Sequence, residues 1–223
     1  MNSDKPDTTR ASYDRLAAEY TRRIAGELAG KPFDRGLLDA FAALTRDLGP
    51  VYDLGCGPGH VAAYLHGHGV AVTGIDLSNE MVAQARALNP DIVFRQGSMA
   101  ALDERVTLGG IVAFYSIIHI DRDRQPTMFR SWREALVPGG WLLVAFHVGE
   151  EDRHVDDLWG IPVDVDFLFF TPEEIEARLR AAGFTVVERH ERDAYPDIEA
   201  ATRRCYLLAR NDEGSPGPTS PGH

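Results

Sequence analysis

Val51-Tyr52-Asp53-Leu54-Gly55-Cys56-Gly57-Pro58-Gly59 is the stretch that decides the fold. Val51 to Leu54 read as a short buried strand. Three alternate glycines follow, and without a Cβ they let the backbone turn sharply and approach a ligand closely. The run from His60 to His66 reads as a helix, whose first N–H groups lack intrahelical partners and point over the glycines. About one strand–helix–strand unit later, Val70-Ala71-Val72-Thr73-Gly74-Ile75-Asp76 ends a second apolar run on a carboxylate, placed to meet the paired hydroxyls of a ribose. The pattern predicts a nucleoside-cofactor site.

A nicotinamide site would call for a glycine where this chain has His60; Gly59 comes one residue early. Asp53, two residues before the first glycine, is placed to meet an ammonium group and would repel a pyrophosphate. In these residues the chain resembles the class I S-adenosylmethionine-dependent methyltransferases of the small-molecule type, whose first motif is an acid followed by G-x-G-x-G. The resemblance runs from about Tyr13 to Arg210. It implies a Rossmann-like, doubly wound α/β fold: a seven-stranded, mostly parallel sheet with its last strand antiparallel, and an N-terminal helical cap.

Organisation along the chain agrees with that expectation. The chain has 223 residues, 44% of them hydrophobic, enough for one large domain. Residues 1–9 read as a flexible N-terminus and 10–210 as a single domain. Within it, 10–48 read as the helical cap and 49–148 as the cofactor-binding core. Residues 149–170, acidic and aromatic without a clear period, read as a loop or lid. Residues 171–210 complete the sheet, and 211–223, rich in Pro, Gly and Ser, read as a disordered tail. Apolar spacing predicts a helix over 11–28 and a second over 37–44. Strands are predicted at 51–54, 70–75, 92–95, 110–115, 141–146, 184–189 and 204–208, alternating with helices over 78–88 and 123–136 and one opening at Thr171-Pro172.

The formal net charge of −11 argues against a broad phosphate-binding surface, so neither nucleic acid nor an anionic membrane is expected as partner. Two cysteines, Cys56 and Cys205, make no disulfide framework and suit a reducing compartment. No segment has the length of an apolar membrane span, and no signal-type core follows Met1. A cytoplasmic protein, monomer or homodimer, is the expectation. No His/Cys/Asp/Glu spacing suggests a metal.

The resemblance implies roles for particular residues. Gly55, Cys56, Gly57 and Gly59 would pass under the methionine part of the cofactor, with Asp53 on its amino group and Tyr20 nearby. Asp76 would accept both ribose hydroxyls, Leu77 and Met81 would flank the adenine, and Ser98, Met99 and Tyr115 complete the cofactor set. Family members commonly carry Asp at the position of Ser98, and an acid where Gly110 opens the fourth strand. Both departures bear on adenine recognition. Tyr13 shares a helix face with Tyr20, and packing against the core explains that pair equally well.

Methyl transfer from a sulfonium is an in-line displacement and needs a base only for an acceptor that arrives protonated. His119, beyond the fourth strand, and His147, ending the fifth, are the candidate bases, together or singly. The alternative reading of His119 is a helix-edge residue bonded to a carbonyl. Trp159, Phe167 and Tyr195 are candidates for the acceptor pocket, with plain core or surface packing as the alternative; Tyr195, Glu199 and Arg203 recur as on one helix face. The function expected is methyl transfer from S-adenosylmethionine to a small molecule, oxygen or nitrogen favoured over carbon or sulfur, leaving S-adenosylhomocysteine. The alternative is a protein that binds this cofactor without transferase activity, as a regulatory or partner subunit.

Overall fold

The computed structural model describes residues 5–103 and 105–212. Helices α1 (Lys5–Ile24) and α2 (Pro32–Thr45) lead into the core, separated by a short 3-10 turn at Glu27–Gly30. The core then alternates: β1 (Val51–Leu54), α3 (His60–Gly67), β2 (Val72–Asp76), α4 (Asn79–Leu88), β3 (Val93–Gln96), β4 (Leu108–Phe114), α5 (Gln125–Ala135) and β5 (Leu136–Val148). After β5 come β6 (Arg153–Leu158), β7 (Ile161–Phe167), α6 (Pro172–Ala181), β8 (Thr185–Arg192) and β9 (Arg203–Arg210).

Seven strands form one sheet in the order β3-β2-β1-β4-β5-β9-β8. Pairs among β3, β2, β1, β4 and β5 are parallel. The last strand, β9, runs antiparallel between β5 and the edge strand β8. The alternation of apolar runs with amphipathic helices dictates this: each crossover buries a helix stripe against one face of the sheet. Neighbouring residues of one strand serve opposite layers. Leu142, Val144 and Phe146 pack with Phe129 and Trp132 of α5 and Ile175 and Leu179 of α6. Leu143 packs with Leu38 and Phe41 of α2 and Val61 and Leu65 of α3. Strand order reverses between β1 and β4, and the crevice at their carboxyl ends is where such sheets bind ligands.

Several expectations are corrected. The first helix begins at Lys5, so residues 5–9 are helical, and it stops at Ile24; of the expected flexible N-terminus, residues 1–4 lie outside the described residues. Residues 149–170 contain the hairpin β6–β7. Its signal was legible: Ile161, Val163, Val165 and Phe167 alternate with Pro162, Asp164 and Asp166, and Val163 and Val165 are buried against Leu16 of α1. Its turn, Trp159-Gly160, has φ of +60° and +82°, the left-handed pair favoured in tight hairpins. Tyr195, Glu199 and Arg203 share no helix; the segment between β8 and β9 is irregular and Arg203 opens a strand. Asn211, expected in a loose tail, is buried and donates from Nδ2 to Leu136 O at 2.9 Å; residues 213–223 lie outside the described residues. No described helix is long and apolar enough to cross a membrane.

Candidate active site

The glycine turn is built for close approach. Gly55, Gly57 and Gly59 all have positive φ, +75°, +51° and +81°. A Cβ on Gly55 would lie 2.3 Å from Ser116 Cβ, because Ser116, just past β4, donates from Oγ to Leu54 O at 2.7 Å. A Cβ on Gly59 would lie 2.7 Å from the Phe94 ring. The first glycine thus lets the exits of β1 and β4 touch, and the third lets α3 seat against β3. A Cβ on Gly57 would lie 3.7 Å from the Tyr20 ring, an ordinary van der Waals contact.

Asp76 closes β2 beside this turn. Its Oδ2 accepts from Gly57 N at 2.8 Å and its Oδ1 from Ser78 N at 2.9 Å. Burial raises its pKa to about 6 against the opposing pull of those backbone bonds. Each oxygen keeps a lone pair for a further donor. Ser78 caps α4, accepting from Met81 N at 3.1 Å, and donates to Asp14 Oδ1 at 2.6 Å, which ties α1 to the rim of the crevice.

One cavity opens over these residues. Gly55, Gly57, Asp76, Leu77, Met81, Ser98 and Met99 line one side. Tyr13, Tyr20, Tyr115, His119, Asp121 and Arg124 line the other. Of the residues expected from sequence, these walls bring together Tyr20, Gly55, Gly57, Asp76, Leu77, Met81, Ser98, Met99, Tyr115 and His119. Thr9, Tyr13, Asp121 and Arg124 are among the lining residues that were missed, with Gly97, Ala100, Phe114, Ser116 and Ile120. The shared face of Tyr13 and Tyr20 was the available signal for Tyr13; the turn that presents Asp121 and Arg124 carries none.

The remaining expected residues sit elsewhere. Asp53 is 1% exposed beneath the turn, where its Oδ2 accepts from Ala62 N at 3.0 Å. It satisfies an orphan N–H in the first turn of α3 and does not line the cavity. Burial raises its pKa to about 7, with His60 pulling the other way. The folded-state value lies above the ordinary 3.8, so the folded protein holds this proton more tightly than the unfolded chain, and stability falls as pH rises between the two. Asp53→Asn keeps an acceptor for Ala62 and removes the charge. The denaturation midpoint of the variant relative to the wild type is expected to climb between pH 4 and 7 and level off above; a difference independent of pH contradicts the buried charge.

Cys56 is buried beside Gly74. His147 lies outside the cavity, stacked between Tyr115 and Phe169 at 5.1 and 5.6 Å, with Nδ1 on Thr202 Oγ1 at 2.9 Å. Burial first, then Arg204, lowers its pKa to about 3. The expectation that His119 and His147 share one pocket is not met: the strand end that carries His147 is covered by Phe169. Trp159, at the hairpin tip, packs on Tyr20 at 5.9 Å beneath Arg23. Phe167 meets His119 edge-on at 5.1 Å without lining the cavity. Tyr195 lies under Arg192 and accepts from Phe33 N at 3.1 Å, away from the cavity.

The two departures from the family pattern also find places. A Cβ on Gly110 would lie 2.7 Å from Thr45 and 2.9 Å from Phe41, so glycine here admits α2 and has no part in the cavity. Ser98 does line it, with Oγ accepting from Ala100 N at 3.2 Å, and Trp132 Nε1 holds Met99 O at 2.7 Å.

Tyr115 has φ of +53° and completes a buried chain of hydroxyls. Its Oη meets Tyr206 Oη at 2.6 Å, Tyr206 donates to Asp34 Oδ1 at 2.9 Å, and Arg192 holds the other Asp34 oxygen at 2.6 Å. His119 is held at both nitrogens: Nδ1 lies 3.0 Å from Asp166 O and Nε2 lies 2.8 Å from Tyr13 Oη.

Comparison with known proteins agrees with this geometry. A family model described as a methyltransferase domain matches residues 51–140. Trans-aconitate 2-methyltransferase of Rhizobium meliloti is 34% identical over 98 residues, covering 43% of this chain and 37% of that protein. The chain therefore spans well under half the length of that relative. A dTDP-3-amino-3,6-dideoxy-alpha-D-glucopyranose N,N-dimethyltransferase of Streptomyces fradiae is 27% identical over 190 residues, 83% of this chain and 68% of that one. Among solved structures, magnesium protoporphyrin IX methyltransferase of Synechocystis PCC 6803 with bound S-adenosylmethionine superposes with a TM-score of 0.71 at 17% identity, covering 95% of this chain and 100% of that one, a likeness of fold. Residues 51–140 thus match a methyltransferase domain model, and the strand order, the glycine turn and the strand-end Asp76 agree with the fold of such methyltransferases.

Proposed function

We propose that the protein transfers a methyl group from S-adenosylmethionine to an oxygen or nitrogen of a small molecule, with His119 as the final proton acceptor. The observation that carries this is the single cavity joining the glycine turn and Asp76 to His119. Gly57 and Asp76 are placed to hold the methionine and ribose parts, and Leu77, Met81, Ser98 and Met99 surround the space left for adenine. When bound, the cofactor supplies an activated methyl on a cationic sulfur. The chain's own part is to align, exclude water and remove a proton.

The acceptor side points to a class of substrate. Among the described residues, Arg124 is the one arginine or lysine lining the cavity, and Asp76 and Asp121 line it too. On the acceptor side one arginine and one aspartate, Arg124 and Asp121, line the cavity, so a tricarboxylate such as trans-aconitate would meet no excess of positive charge. An amine or hydroxyl, as on the amino sugar of the Streptomyces fradiae relative, fits better and is the kind of acceptor that needs a base.

Calorimetric titration with S-adenosylhomocysteine, followed by turnover with labelled S-adenosylmethionine over small amines, alcohols and carboxylates, tests this. Stoichiometric micromolar binding and methylation of an amine or alcohol are expected. Absence of binding ends the reading. Binding with turnover of none of these acceptors transfers the case to a cofactor-binding protein without transferase activity.

A further inference from the structure

His119 is not presented bare to the cavity. Asp166 O, a carbonyl, can only accept, so the Nδ1 facing it carries the ring proton. Nε2 of the neutral ring then accepts, and Tyr13 Oη–H donates to it at 2.8 Å. Tyr13 itself lines the cavity, and its oxygen keeps lone pairs for a donor arriving from that space.

We propose that Tyr13 is a catalytic residue that stands between acceptor and base: it takes the proton leaving the acceptor while passing its own to His119 Nε2. This rests on the methyl-transfer reading above. In the step, the acceptor atom bonds the methyl carbon and its bond to hydrogen breaks, while the carbon–sulfur pair stays with sulfur. The leaving proton bonds Tyr13 Oη, and the former hydroxyl proton bonds Nε2. The imidazolium so formed keeps its Nδ1–H on the Asp166 carbonyl, and the positive charge lost by sulfur reappears there. The acceptor is therefore one that arrives with a proton, a hydroxyl or an ammonium, and a carboxylate would have nothing to pass on.

The fold assembles this pair through one strand. Ser12 Oγ accepts from Asp164 N at 2.9 Å, pinning α1 to β7 one residue from Tyr13. Two residues on, Asp166 of the same strand holds His119. The Tyr13 ring and Phe167 both meet the imidazole edge-on, at 5.2 and 5.1 Å, and shield it. Burial, with Tyr20 and Asp76 nearby, pushes the Tyr13 hydroxyl well above its ordinary range. The phenol is thus a poor final home for a proton deficit, which suits a relay and not a standing phenolate.

Sinefungin tests the geometry without an acceptor, because it carries an ammonium where the cofactor carries its methyl sulfonium. Affinities for sinefungin and S-adenosylhomocysteine are measured by calorimetry for the wild type, Tyr13→Phe, and Tyr13→Phe with His119→Ala. The wild type is expected to prefer sinefungin about tenfold, the size of one hydrogen bond. Tyr13→Phe, which keeps the ring packing, is expected to lose that preference while holding S-adenosylhomocysteine within twofold, and the double variant to lose nothing more. Equal wild-type affinity for the two ligands, or a preference that survives Tyr13→Phe, overturns the relay. Failure of the wild type to bind S-adenosylhomocysteine overturns the proposed function instead.

Discussion

His119→Ala is expected to lower turnover about 1,000-fold, the middle of the range for a general base, and to leave affinity for S-adenosylhomocysteine within twofold. The imidazole contacts Tyr13, Phe167 and the Asp166 carbonyl, none of which belongs to the glycine turn or to β2. Its removal takes away the proton's destination and leaves the cofactor side of the cavity as it was. His147→Ala is the control: that ring is stacked between Tyr115 and Phe169 outside the cavity. A loss of turnover at His147 as large as that at His119 would refute the assignment. The variants are compared at saturating cofactor, so that kcat and KM separate.

Asp76→Ala is expected to weaken S-adenosylhomocysteine about 100-fold, roughly 3 kcal/mol for hydrogen bonds from two hydroxyls to a charged acceptor. The same substitution strips Gly57 N and Ser78 N of their acceptor, so part of the loss comes from a loosened turn. Asp76→Asn separates the contributions, because the amide keeps one acceptor oxygen without the charge. Burial raises the pKa of the carboxyl to about 6, and ribose hydroxyls would donate to its ionised form. Cofactor affinity is therefore expected to fall as pH drops through about 6, and to level off above, in the wild type but not in Asp76→Ala. Calorimetry between pH 5 and 8 reads this directly; undiminished binding by Asp76→Ala would remove the ribose role.

What could be read from the chain alone was whatever depends on local periodicity and on backbone stereochemistry. Strand β1 fell at its predicted residues, α4 began after its Ser78 cap, and the glycines had to be glycines, since all three take positive φ. The alternation of strands and helices determined the sheet, and with it the crevice where Asp76 ends. Burial side and long-range partners are not local properties, and there the reading stopped. Asp53 looks like a ligand because it precedes the turn, yet the helix behind it supplies the nearer donor, Ala62 N. His119 follows β4 and His147 lies near the end of the neighbouring strand β5, yet the cavity meets the first and Phe169 covers the second. Tyr13 and His119 are 106 residues apart, brought together because Ser12 and His119 both bind the backbone of β7. Sequence by itself thus determined the sheet, the turn and the place of Asp76 at a strand end, whose requirements are steric and local. Only the tertiary structure decided which titratable side chains share a space, because that depends on hydrogen bonds closed across the whole length of the chain.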